Sequence, residues 1–308
     1  MKFAHAIILS LALVLAACGG NTPVDSPPVD VPAEVAPEAD PEAEAPTAPE
    51  IEEEAPAPEP EPDTPSEPDF VPQPPEGQRV EFESSDGTAL VGYYYPAALP
   101  NAPIVVLMHW ARGEQSDWQK NGMIDWLQNR GAGGGTQSPS QQSAIYPPMP
   151  EGLSFAVFTF DFRGFGESSG KFDQAGGLLD AKAGYEIAKT LEGVDPTRMA
   201  GMGSSIGSDG VVDGCADGCL GALSFSPGSY LTVSYTDAVK VLDEAGKPVT
   251  CIASEGDGES APTCEAASGE NYQSIVYAGS AHGDQFFQNP PEGFSQVILD
   301  WLLLTFGA

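Results

Sequence analysis

The chain is poor in histidine and in positive charge. Its 308 residues include three His, and 12 Lys plus Arg stand against 45 Asp plus Glu, a formal net charge of −33. So acidic a chain excludes nucleic acid and anionic lipid surfaces as charge-driven partners. The scarcity of histidine narrows the acid–base chemistry to very few residues, and it leaves the cysteines without the companions that most zinc sites need. A long apolar run is also missing. The stretch from Ala6 to Ala17 is too short for a comfortable membrane span. From Asn21 to Gly77 there is no Lys or Arg at all, while 17 Pro and 17 acids crowd the same segment.

These absences divide the chain. The start, MKFAHAIILSLALVLAACGG, has one Lys, a short apolar run and then Cys18, the layout of an export signal. Its LAAC end resembles the bacterial lipoprotein cleavage box, which implies a signal peptide over residues 1–17 and a lipid on Cys18. Gly19 after the Cys implies the outer membrane or cell surface by the same resemblance. Residues 18–77 cannot bury enough apolar surface to offset ordering entropy and are expected to be a disordered, extended tether. In polyproline form, its 57 residues from Asn21 would reach at most roughly 175 Å. Residues 78–308 are then one sizeable domain. It holds 28 of the 45 acids and 11 of the 12 bases, a net charge near −17.

The domain keeps four cysteines, Cys215, Cys219, Cys251 and Cys264. An even number in an exported domain points to disulfides. Three pairings are possible; Cys215–Cys219 with Cys251–Cys264 is expected, because each pair brackets one short segment. RVEFESSDG and TALVGYYYP around Asp86-Gly87 read as a hairpin. Continuous apolar runs such as PIVVLMH and SFAVFTFD read as strands buried on both faces. RMAGMG, LGALSFS, VTCIAS and YQSIVYAG come next along the chain. Helical patterns lie between them, with Leu179, Ala183, Ile187 and Leu191 expected on one buried face, and Phe294, Val297, Ile298, Trp301 and Leu302 on another. This alternation predicts a mostly parallel sheet covered on both sides, with ligands beyond the carboxyl ends of the strands.

The successive strands run into HWARGEQSDW, DFRGFGESSG, GSSIGS, SEGDGES and GSAHGD. The ordered set resembles the α/β-hydrolases, nearest to their dienelactone-hydrolase-like and serine-peptidase-like members, over essentially all of residues 78–308. The resemblance implies an eight-stranded, mostly parallel sheet with helices on both faces. Some twenty residues separate the sixth and seventh strands, too few for a large cap domain.

Gly-x-Ser-x-Gly occurs twice, around Ser168 and around Ser205. A nucleophile elbow needs a strand, a sharp turn and a helix. Ser205 comes directly after a strand-like run; Ser168 lies deep in a loop whose Asp161, Arg163 and Gly164 read as scaffold. Ser205 is therefore the expected nucleophile. A serine needs a base. His5 would leave with the signal, and His109 precedes the loop that normally supplies an oxyanion amide, so His282 is the expected base. The resemblance places the acid at Asp257, with Glu255, Glu259 and Asp284 as the alternatives. It also implies an oxyanion hole from the amides of Ile206 and Trp110, with a bulky indole where the family often has glycine. Asp209, Asp213 and Asp217, spaced by four, could form a cation site but read as an acidic helix face. The Arg130–Gly152 insertion reads as a flap or a disordered loop.

The expected function is cleavage of ester-like acyl bonds through a Ser-His-Asp triad and an acyl-enzyme, without metal or organic cofactor. Peptidase or acyltransferase activity on the same residues is the near alternative, and a non-catalytic surface binding protein the distant one. The acidity of the domain favours neutral or cationic small-molecule substrates. A monomer, extracytoplasmic and held to the membrane through Cys18, completes the expectation.

Overall fold

A computed structural model describes residues 71–130, 145–215, 218–231 and 233–307. The signal segment, Cys18, the tether up to residue 70, Asp217 and most of the Arg130–Gly152 insertion lie outside them. Eight strands form one sheet: β1 (Gln78–Glu83), β2 (Ala89–Tyr95), β3 (Ala102–Met108), β4 (Ala156–Phe160), β5 (Val194–Ser204), β6 (Cys219–Phe225), β7 (Val249–Ser254) and β8 (Tyr272–Tyr277). Their spatial order is β1-β2-β4-β3-β5-β6-β7-β8. β1 and β2 pair antiparallel, with Gln78 opposite Tyr94, and β2 runs antiparallel to β4; all later pairings are parallel. The hairpin closes where Asp86-Gly87 places it. Gly87 takes a positive φ of 84°, and its N–H donates to the Ser84 carbonyl at 2.8 Å; a residue with a Cβ disfavours that backbone.

The helices are α1 (Asp117–Lys120), α2 (Met123–Gln128), α3 (Gln174–Ala188), α4 (Ile206–Asp213), α5 (Tyr235–Glu244), α6 (Ser260–Ala266), α7 (Gln285–Gln288) and α8 (Phe294–Phe306). β3, β4 and β7 are buried at every position, in keeping with their largely apolar sequences. One core packs α3–α6 against one face of the sheet; the other packs α2, α7 and α8 against the opposite face. Between β6 and β7 the described residues hold a loop and α5 alone, in keeping with the absence of a cap domain.

One helix buries a different stripe from the expected one. α3 begins at Asp173, whose side chain accepts from the Gly176 amide at 2.9 Å, an N-cap that satisfies a first-turn donor. Its buried residues are Gly176, Gly177, Asp180, Ala181, Gly184, Tyr185 and Ala188, while Leu179, Ala183, Ile187 and Leu191 are only half-buried. Two contacts turn the helix. A Cβ on Gly184 would overlap the Phe160 ring, so the helix must approach the sheet there. Asp180 is fully buried because it accepts from the Arg163 guanidinium and from the Arg163 amide at 2.9 Å. α8 matches expectation more closely, burying Phe294, Ile298, Trp301 and Leu302 with Val297 at the margin.

Candidate functional site

β5 ends at Ser204 and α4 starts at Ile206, so Ser205 alone makes the turn. It does so at φ 54°, ψ −117°, a conformation that costs of order 1–3 kcal/mol for a residue with a side chain. Its surroundings hold it there. The Ser205 N–H donates to the Phe225 carbonyl at 2.8 Å. A Cβ on Gly203 would overlap the Gly207 carbonyl, and one on Gly207 would overlap the Met108 carbonyl. The two glycines of the motif are therefore steric requirements: the start of α4 presses against the carboxyl end of β3.

His282 lies in the loop after β8, and its Nε2 is 2.9 Å from the Ser205 Oγ. Its Nδ1 is 2.7 Å from the Asp257 Oδ2. A carboxylate can only accept. Nδ1 therefore carries the proton and donates to Asp257, which leaves the Nε2 lone pair to accept from the Ser205 hydroxyl. Burial pushes the Asp257 carboxyl up, but hydrogen bonds from His282 and Ser260 outweigh it and hold the group below its ordinary range. The Gly283 amide donates to the Ser226 Oγ at 3.0 Å, and the Tyr230 ring stands edge-on to the imidazole at 6.3 Å. Of the alternative acids, Glu255 and Glu259 are exposed. Asp284 accepts from Asn121 Nδ2 at 3.1 Å and faces a different cavity.

His109 is fully engaged elsewhere. Its Nε2 accepts from the Phe162 amide at 3.0 Å, so its Nδ1 donates to the Trp110 carbonyl at 2.8 Å. Burial lowers its basicity, and the imidazole stays neutral, shaping the loop after β3. The Trp110 and Ile206 amides have no acceptor among the described residues, and the contact of Gly207 with the end of β3 brings the two segments together. Ser168 has a structural place. Its hydroxyl donates to the Asp161 carbonyl at 2.6 Å and accepts from the Val91 amide at 2.9 Å, tying the loop after β4 to β2.

Two cavities meet at Trp110 and Arg112. A small one of about 180 Å³ is walled by Trp110, Ala111, Arg112, Ser205, His282 and Gln285. A larger cleft of about 770 Å³ adjoins it and carries Asp117, Lys120, Asp125, Asp284 and Phe287. Ile145, within the insertion, also lines the cleft, and Tyr146 beside it stacks on Trp126 at 4.8 Å. Among the described residues no group of three His, Cys, Asp or Glu could hold a metal ion.

The acidic face expected on α4 is corrected. Asp209 is fully buried and accepts from the amides of Gly228 at 3.4 Å and Tyr230. Both carboxyl oxygens of Asp213 are buried as well. Every residue from Ile206 to Val212 is buried. The helix's own sequence does not mark this burial; the loop after β6 supplies the amides that Asp209 meets. The cysteines pair as expected, Cys215 with Cys219 and Cys251 with Cys264, at Cα separations of 5.3 and 5.7 Å. Such bonds persist in oxidising compartments outside the cytoplasm. No helix among the described residues is long and apolar enough to cross a membrane.

Solved structures share this architecture. An esterase of Pyrococcus furiosus, Pf2001, superposes with a TM-score of 0.55 at 19% identity, over 75% of this chain and 94% of its own. The thermostable carboxylesterase EstE1 from a metagenomic library gives 0.51 at 14%, over 77% and 90%. A putative α/β hydrolase of Agrobacterium tumefaciens gives 0.51 at 19%, over 73% and 94%. The chain has the α/β-hydrolase fold. No protein-family model matches it. Among curated proteins, the uncharacterized protein YfhR of Escherichia coli K12 is 29% identical over 146 residues, 46% of this chain and 43% of that protein. The uncharacterized protein Rv2307c of Mycobacterium tuberculosis is 29% identical over 135 residues, 44% and 39%. The chain thus spans less than half the length of the curated relatives it matches. Within the α/β-hydrolase fold, Ser205, Asp257 and His282 come after β5, β7 and β8 in turn.

Proposed function

We propose that the protein is a serine hydrolase of ester-like acyl bonds. One observation carries the reading: an unbroken hydrogen-bonded chain from the Ser205 Oγ through His282 to Asp257, built on a serine held at positive φ. His282 Nε2 takes the hydroxyl proton as the Ser205 Oγ attacks the carbonyl carbon, and later returns it to the leaving group. Asp257 fixes the imidazole tautomer and stabilises the imidazolium. The amides of Ile206 and Trp110, without acceptors among the described residues, donate to the oxygen on which charge develops. The leaving alcohol departs, an acyl-enzyme remains, and water activated by His282 releases the acid. No step needs a metal or organic cofactor. Carboxylic esters are the proposed substrates, supported by the esterases that share the fold. The disulfides and the export-like start support an extracytoplasmic enzyme, tethered through a lipid on Cys18.

A fluorophosphonate probe tests this directly. Wild-type protein and Ser168→Ala are expected to be labelled, and Ser205→Ala is expected to be spared. Labelling that persists in Ser205→Ala removes the assignment.

A further inference from the structure

The domain has five arginines, and four are committed. Arg79 pairs with Glu81 and Glu167, and Arg163 with Asp86 and Asp180. Arg130 donates to the carbonyls of Gln73, Pro96 and Ala97, and Arg198 to that of Phe306. Arg112 is exposed and has neither hydrogen-bond nor ion-pair partner among the described residues. It also lines the small cavity over Ser205, where it is the one residue with a fixed charge, and the larger cleft beside it. Its position is set by a turn. The Gly113 N–H donates to the Trp110 carbonyl at 3.1 Å, and a Cβ on Gly113 would overlap the Trp110 indole and the Asp117 carboxylate. Trp110 Nε1 in turn donates to Asp117 Oδ2 at 3.2 Å. The carboxylates of the larger cleft have other partners: Asp117 accepts from Trp110 and Lys120, Asp125 from Gln119, and Asp284 from Asn121.

An unpaired guanidinium is a planar, permanently charged receptor for a carboxylate, which it can bind through two parallel N–H donors. In a domain near −17 the long-range field opposes an anionic substrate. At physiological salt that field is screened over about 8 Å, so in the Ser205 cavity a charge on its own wall outweighs those far across the domain. Overall acidity points to neutral or cationic substrates; the lining of the small cavity over Ser205 points the other way.

We propose that Arg112 is a specificity-determining residue, and that the substrates are acyl compounds with a free carboxylate close to the scissile bond, half-esters of dicarboxylic acids being the simplest. This rests on Ser205 being the nucleophile. The full-length protein is assayed by methanol release from monomethyl glutarate and from methyl hexanoate, with fluorophosphonate labelling of Ser205 run in parallel. Wild type is expected to favour the half-ester in kcat/KM by roughly tenfold or more, the scale of a charge-assisted hydrogen bond. In Arg112→Ala the ratio of the two kcat/KM values should fall toward one; Arg112→Lys should retain part of it, and added salt should shrink the wild-type ratio. Equal kcat/KM values in wild type, or a preference that survives Arg112→Ala, overturns the proposal while the labelled Ser205 still stands. Failure of the probe to label Ser205 removes the foundation instead.

Discussion

Replacing Asp209 by Asn isolates the energetic consequence of the buried carboxyl on α4. Asp209 has no ion-pair partner among the described residues. It is met by the Gly228 and Tyr230 amides and lies near the carboxyls of Asp213 and Glu259. Burial raises its pKa from 3.8 to about 7 against the pull of the amides. The folded state therefore holds this proton more tightly than the unfolded chain does. The associated stability is fully present below about pH 3.8 and is lost as the pH climbs through about 7. Each pH unit across that interval is worth about 1.4 kcal/mol, so ionised Asp209 costs roughly 4 kcal/mol above neutrality. Asn cannot ionise. Its Oδ1 can accept from one of the two amides but its NH2 cannot accept from the other, so the variant should be no more stable than wild type near pH 4. Between about pH 4 and 8 the stability difference should swing toward the variant by roughly 4 kcal/mol, or roughly 8–16 °C in Tm for a domain of this size. Thermal melts of both proteins across that range measure it, and every other titrating group cancels except those coupled to Asp209. Asp213, which burial and then repulsion from Asp209 raise to about 8, should show the same sign in Asp213→Asn. Parallel Tm curves for wild type and Asp209→Asn would refute the reasoning.

Asp257→Asn should lower kcat toward a neutral ester by roughly 10³–10⁴-fold, with Tm little changed. Asn would present an N–H to Nδ1 and turn the imidazole to the tautomer that cannot accept from Ser205; a loss of less than about tenfold in steady-state kinetics would contradict this. Replacing Cys251 and Cys264 together by Ser should cost about 3 kcal/mol by the loop-closure entropy of a cross-link this short. Denaturant unfolding checks it, and an unchanged midpoint would count against the bond as a stabilising element.

Much of the site was legible because its parts depend on local order along the chain. The strands showed as apolar runs, and each site residue comes just after one of them. Glycines flanking Ser205 signalled a turn that no other residue type tolerates, and the shortage of histidine left His282 with no rival once His109 was tied to the β3 loop. Where expectation failed, the cause was a contact between distant segments. Asp209, Asp213 and Asp217 four apart look like a solvated stripe when only their own helix is considered. Asp209 is buried because the loop after β6 brings amides to it from some twenty residues away. α3 turns away from its Leu179–Ile187 stripe because Arg163, on another loop, needs Asp180 beneath the surface.

The choice of acid, expected at Asp257, depends on a distant contact in the same way. Asp257, Glu255 and Glu259 are equivalent as letters in one turn, and only the approach of the loop after β8 makes Asp257 the partner of His282 at 2.7 Å. Under the proposal for Arg112, net charge misleads for a related reason. A sum over the domain treats every acid alike, yet four of the five arginines are spent on carboxylates and carbonyls outside the Ser205 cavity, and the fifth lines it. The charge that a substrate meets depends on which pairs have already formed, and that is a property of the fold.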